Sequence, residues 1–217
     1  GNVTSTFDST PFGSGASTNA GDTGWSNQVI YTTPKIAGMT ANVHYQFGEQ
    51  AGETGTNNVG ANVLYFNGPI GLTAYYHDVE MSNPVAAVAA NEQKTFFVGG
   101  SYDLKVVKLF GTWQRAKNES AATGAEVFTD KLYSVGLSAP VGQGSALLAY
   151  AHTKRDVAAL SEVKRSTFSV GYDYFLSKRT DIYAVAMADK ITDGDRETSY
   201  GLGVRHRIRW RVVGTPA

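Results

Sequence analysis

From residue 27 onward, apolar and polar side chains alternate with a period of two through nearly the whole chain, and helical periodicity is hard to find. Successive side chains of a strand point to opposite sides of the backbone, so this alternation predicts strands with one apolar and one polar face. Eleven are predicted, at about 27–33, 39–47, 58–66, 70–77, 94–102, 106–115, 131–138, 145–153, 165–175, 181–188 and 197–207. Short connections at 34–38, Asn67-Gly68, Leu104-Lys105, 140–144 and 177–179 alternate with longer segments at 48–57, 80–93, 116–130, 154–164 and 189–196. Asn67-Gly68 reads as a two-residue hairpin turn with positive φ at both central residues. Tight turns at one end and long loops at the other are the layout of an antiparallel up-and-down barrel that crosses an outer membrane.

Parity assigns the faces. One carries Met39, Ala41, Val43, Tyr45 and Phe47, then Val59, Ala61, Val63 and Tyr65, then Ile70, Leu72, Ala74 and Tyr76, and continues through Trp113, Val135 and Val170 without a charge. Eleven of the twelve tyrosines, all but Tyr75, are assigned to it. Tyr31, Tyr65, Tyr102, Tyr174 and Tyr183 fall beside the short turns, and Tyr45, Tyr76, Trp113, Tyr133, Tyr150 and Tyr200 toward the long segments. A ring with an apolar body and a polar tip suits a membrane–water boundary, whereas the core of a soluble β-sandwich, the competing fold, must find a partner for every buried hydroxyl. The opposite face supplies the pore-lining candidates Asn42, His44, Gln46, Asn62, Tyr75, His77, Lys108, Gln114, Arg165, Asp173, Arg205 and Arg207. The stretch SALLAYAHT, 145–153, is apolar on both faces, and parity alone does not orient it.

Composition removes several functions. Nineteen basic residues balance nineteen acidic ones, which gives a polyanion such as nucleic acid nothing to bind. The chain has no cysteine, which excludes thiolate chemistry and disulfides. His44, His77, His152 and His206 stand on separate predicted strands with no acidic partner at ligand spacing, so no metal is expected. No nucleophile elbow leads from strand to helix, and Gly201-Leu202-Gly203 lacks the helix of a dinucleotide loop, so neither a catalytic residue nor a cofactor is expected.

Three passages carry a family resemblance: WSNQVIYTTPKIAGMTANVHYQFGE at 25–49, VGYDYFLSKRTDIYAVA at 170–186 with the signature Tyr-x-Leu-Ser-Lys-Arg-Thr-x-x-Tyr, and YGLGVRHRI at 200–208. They resemble the trimeric general porins of the Gram-negative outer membrane, especially the β-proteobacterial branch. The resemblance implies an all-β, 16-stranded transmembrane barrel of which about the last eleven strands are present. It also implies that residues 1–25 are the remainder of the pore-constricting loop, that 26–208 are barrel strands and that 209–217 extend past the last strand, where Ile208 replaces the family's terminal phenylalanine. Asp8 and Asp22 are then the acidic constriction-loop candidates. The implied function is a water-filled channel for passive diffusion of ions and small hydrophilic solutes, a homotrimer in contact with the bilayer and outer-membrane lipid. Two alternatives stand beside it. One is an adhesin or receptor acting through 80–93 and 116–130. The other is a barrel hydrolase, which needs an outward Ser–His pair; His206 has outward parity, but no outward serine is expected across from it.

Overall fold

The computed structural model describes residues 27–48, 57–80, 92–120, 123–157 and 162–207. Asp8, Asp22 and the segments 1–25 and 209–217 lie outside the described residues. The strands are β1 Gln28–Thr32, β2 Met39–Gln46, β3 Asn58–Asn67, β4 Ile70–Glu80, β5 Glu92–Asp103, β6 Lys108–Glu119, β7 Glu126–Val141, β8 Gly144–Val157, β9 Val163–Phe175, β10 Thr180–Ile191 and β11 Arg196–His206. They form one sheet in chain order, each antiparallel to the next, with β1 and β11 as its edges. The eleven expected strands are all present, but β4 to β10 run several residues further at the long-loop end than alternation suggested. There charged residues enter the outward face and apolar ones such as Val79, Phe128 and Val157 the inward face, so the hydrophobic period fades while the hydrogen-bond ladder continues, with one bulge between Asn118 and Glu119.

The turns correct two details. Asn67 pairs with Ile70, which makes Gly68-Pro69 the central pair of the hairpin. Only Gly68 has positive φ (54°), the II′ pattern, because proline holds φ near −65° and cannot enter a I′ turn. Val107 lies in the connection before β6, where its carbonyl accepts the Leu104 N–H at 2.9 Å. At the opposite end, β10 and β11 close through only 192–195, much less than the 189–196 expected.

Registers settle the faces, since directly opposed residues share one. Met39 opposes Tyr65, Tyr65 opposes Leu72, Val98 opposes Trp113, and Trp113 opposes Tyr133, all on the apolar side. The doubtful strand β8 is fixed by Val135 opposite Tyr150 and Leu148 opposite Val170, which leaves Leu147 against Ser138 and Gly171 on the polar side. One assignment is overturned. Tyr183 opposes Asp173 and Gly203, and Ala184 opposes Tyr172, so Tyr183 lies on the polar face and Ala184 on the apolar one. The Tyr183 ring covers Gly203, where a Cβ would come within 2.3 Å of it. Tyr75 and Tyr183 are thus on the polar face, leaving ten of the twelve tyrosines on the apolar face.

Burial is inverted relative to a soluble protein. The largest fully buried side chains are Thr95 and Thr153, and both belong to the polar face with Gln93, Asn118, Arg155, Thr167, Asp181 and Asp189. Val135, Leu72, Phe168 and Leu202, on the apolar face, are 57%, 50%, 49% and 85% exposed. Most buried side chains lie on the polar face, with Glu119 and Thr129 at the long-loop end as outward exceptions, so this single layer, with nothing packed against it among the described residues, curls toward its polar side. The polar face is therefore the inside of the curve, and the apolar face a continuous outward surface that water does not favour. Adjacent leucines in β8 test this. Leu147 (44% exposed, inward) and Leu148 (38% exposed, outward) differ only in face. Leu148→Arg is expected to destabilise the vesicle-folded protein by roughly 2 to 4 kcal/mol, read from the urea midpoint, and Leu147→Arg by less than about 1 kcal/mol.

Candidate pore-lining face

The inward face is built from short-range rungs between neighbouring strands. In β1 to β3, the Thr32 hydroxyl donates to Asn42 Oδ1 at 2.7 Å, His44 Nε2 meets Asn62 Oδ1 at 3.2 Å, and Asn58 Nδ2 donates to Gln46 Oε1. Tyr75 of β4 stacks on Phe97 with ring centroids 4.9 Å apart and on His77 at 5.6 Å, and its hydroxyl reaches Gln114 Oε1 on β6 at 3.3 Å. Further along, Gln93 Nε2 donates to Asn118 Oδ1 at 2.9 Å, and the Thr112 and Ser134 hydroxyls are 2.6 Å apart.

From β7 onward the rungs are ionic. Arg155 on β8 clasps Asp130 on β7 through two bonds of 2.6 Å, with its guanidinium 4.3 Å from the Phe128 ring centroid. Arg165 on β9 meets Asp189 on β10 at 2.9 Å, and the Thr167 hydroxyl donates to the same carboxylate at 2.7 Å. Arg205 on β11 bridges Asp181 at 2.9 Å and Asp173 at 3.0 Å. The pairs are set by register: Asp130 opposes Arg155, and Asp181 opposes Arg205. Removing one partner of such a half-buried pair leaves the other charge uncompensated, so each rung links two strands more firmly than a surface ion pair.

The structure brings Asn42, His44, Gln46, Asn62, Tyr75, His77, Lys108, Gln114, Arg165, Asp173 and Arg205 to this one face, each within a strand. Arg207 follows β11, with its N–H donating to the Arg179 carbonyl at 2.9 Å. Sequence reading missed the ion pairing: Asp130, Arg155 and Asp189 belong to the face as much as the named residues do. The signal was present as Asp or Arg at inward parity on consecutive strands, but Asp130 and Arg155 fell in segments read as loops.

The outward face does hold a serine–histidine contact. His152 Nδ1 is 2.9 Å from Ser166 Oγ, which also receives the Tyr150 hydroxyl at 3.3 Å. His206, by contrast, faces Thr180, with Nδ1 2.9 Å from Oγ1. Acyl transfer also needs unpaired backbone N–H groups to receive an oxyanion, and His152 and Ser166 sit in mid-strand, where the ladder uses those donors. The contact satisfies polar groups on an apolar surface.

Residues 1–194 match the family of Gram-negative porins. An outer membrane porin protein of Bordetella pertussis is 28% identical over 222 residues, covering 85% of this chain and 58% of its own length. The solved anion-selective porin of Comamonas acidovorans superimposes with a TM-score of 0.71 at 26% identity, over 84% of this chain and 59% of that one. The outer membrane protein OmpT of Vibrio cholerae, in its trimer form, shares the fold with a TM-score of 0.65 at 15% identity, over 82% of this chain and 64% of that one. The chain spans about three fifths of the length of these relatives. An open sheet of antiparallel strands, apolar outside and polar inside, together with a match over most of the chain, establishes that this protein belongs to the Gram-negative porin family of the outer membrane.

Proposed function

We propose that the whole protein is a passive, water-filled channel for ions and small hydrophilic solutes, in which this sheet forms the larger part of the barrel wall. The observation that carries the reading is the inverted burial: Thr95, Thr153, Arg155 and Asp181 are buried inside the curve, and Leu72, Val135 and Phe168 are exposed outside it. Hydrocarbon does not tolerate unpaired backbone groups, so the free edges of β1 and β11 require further strands to close the wall. A homotrimer is the assembly that the family resemblance implies. Asp8 and Asp22 remain the proposed acidic groups of an inward-folded constriction.

The lining sets an expectation for selectivity. Its strands carry Lys108, Arg155, Arg165 and Arg205 against Asp103, Asp130, Asp173, Asp181, Asp189 and Glu197, four cations to six carboxylates. The Comamonas porin is described as anion-selective. In this chain an anion preference would need cations from outside the described strands, because three of the four arginine and lysine charges here are already met by carboxylates.

Two measurements test this. The full-length protein in a planar bilayer is expected to give stepwise, ohmic conductance; a bilayer that stays silent at every voltage would sink the channel reading. Asp189→Asn removes one negative charge beside Arg165, and the reversal potential in a salt gradient is expected to move toward anion preference, whereas an unchanged potential would place this rung away from the ion path.

A further inference from the structure

On β3 to β6 the inward face gathers aromatic rings. Phe66 and Phe110 stand in one row of the sheet with only Gly71 and Ser101 between them, since Phe66 opposes Gly71, Gly71 opposes Ser101, and Ser101 opposes Phe110. Two inward rows nearer the long loops, Tyr75 opposes Phe97. Glycines make room for these rings. A Cβ on Gly71 would come within 3.1 Å of the Phe66 ring, and one on Gly99 within 3.0 Å of the Phe97 ring, so both rings lie over backbone that a larger residue would cover. Tyr75 stacks on Phe97 with the planes 15° apart, and its hydroxyl reaches past β5 to Gln114 on β6.

The patch faces the enclosed part of the lumen. On the outward side, Trp113 lies three residues from Phe110 toward the long loops, and Tyr102 five residues from Phe97 toward the short turns, so the rings sit between the two aromatic belts. Their surface is only partly covered: Phe66 and Phe110 are 59% and 42% exposed, and Tyr75 and Phe97 are half-buried. Phe128 on β7 differs, since the Arg155 guanidinium lies over its ring. Ring faces left in water gain free energy when a flat apolar group covers them.

One cation stands beside the rings. Lys108 Nζ is 5.3 Å from the centroid of the Phe110 ring. Asp103 opposes Lys108 across β5 and β6, but its Oδ1 accepts the Lys105 N–H at 2.7 Å in the adjoining turn. Among the described residues Lys108 has no ion pair, whereas Arg155, Arg165 and Arg205 on the same face each have one. The unmatched cation of the lining is therefore the one next to the ring patch. A solute with both a flat ring and a negative charge uses both features; a neutral sugar leaves the cation unused, and a small anion leaves the rings in water.

We propose that this patch binds aromatic carboxylates on their way through the channel, the solute ring against Phe97 and Phe110 and its carboxylate on Lys108, toward the short turns. The proposal rests on the channel reading and names a substrate class for it. Its test is the full-length protein in a planar bilayer, with 2-naphthoate titrated against the potassium chloride current and the half-blocking concentration read. The wild type is expected to show saturable block. Phe97→Leu with Phe110→Leu, which keeps apolar volume but removes the ring faces, is expected to raise the half-blocking concentration about tenfold, and tyrosine at both positions to restore it. Lys108→Gln is expected to raise it about tenfold for 2-naphthoate and to leave neutral 2-naphthol unchanged, while Lys105→Gln, which removes the same charge from the adjoining turn, blocks as the wild type does. Acetate in the same range should not block. The open-channel current of each variant reports its folding, and should the leucine pair fail to insert, the contrast between 2-naphthoate and 2-naphthol in Lys108→Gln carries the test. Block of Lys108→Gln or of the leucine pair at the wild-type concentration, block by acetate, or stronger block by maltotriose than by 2-naphthoate would each overturn the proposal. A wild type that conducts without block would overturn it alone, leaving the rings as a seat for the chain's own segment 1–25, and a wild type that never conducts would count against the channel and the site together.

Discussion

Every backbone N–H and C=O placed in hydrocarbon has to find its partner within the protein, and this requirement governs the rest of the structure. Here the partners are the neighbouring strands, in an unbroken order from β1 to β11. Once the ladder has taken the backbone groups, side chains can only alternate between two faces, and each face answers to its own solvent. A soluble sheet hides its apolar side; this one displays it. Leu202 and Val204 stand 85% and 70% exposed while Thr95 and Thr153 are buried.

Among the described residues only Val79, Ala116, Leu132 and Ala151 are buried apolar side chains, and the inward side of the wall is joined mainly by polar rungs. Amide, hydroxyl and histidine contacts serve β1 to β7, and arginine–carboxylate pairs serve β7 to β11. The ion pairs do two things together. They tie adjacent strands at positions such as Asp130 and Arg155, where both groups are largely shielded from solvent. They also cancel most of the field that those charges would otherwise project into the enclosed space, so that a small carboxylate excess is what remains.

Strand number, order and most of the face assignment were legible in the sequence because period-two alternation is a direct consequence of strand geometry. What the sequence hid has specific causes. The ends of β7 and β8 at 126–130 and 154–157 fall in segments that read as loop because Asp130, Lys154, Arg155 and Asp156 put charge on both faces, Asp130 and Arg155 paired inward and Lys154 and Asp156 paired outward. Tyr183 was misplaced because a turn of unknown register lets a strand be entered on either parity, and a tyrosine fits the lipid side by type; the space over Gly203, visible only once β10 and β11 are paired, accommodates it on the other side. The Gly68-Pro69 turn was shifted by one residue because Asn-Gly is the stronger hairpin signal until the ring of Pro69 is considered. The contact between His152 and Ser166 needed the β8–β9 register, which the doubly apolar stretch at 145–153 withheld.

The two faces meet different solvents, and because the chain has no cysteine the difference is directly measurable. Single cysteines placed in turn at 145–153, in the full-length protein folded into vesicles and spin-labelled, report collision with oxygen, which concentrates in lipid, and with a water-soluble nickel chelate. A strict alternation is expected: chelate accessibility at Ser145, Leu147, Ala149 and Ala151, and oxygen accessibility at Ala146, Leu148 and Tyr150. Equal accessibility along the strand, or chelate reaching Leu148 as readily as Leu147, would contradict it.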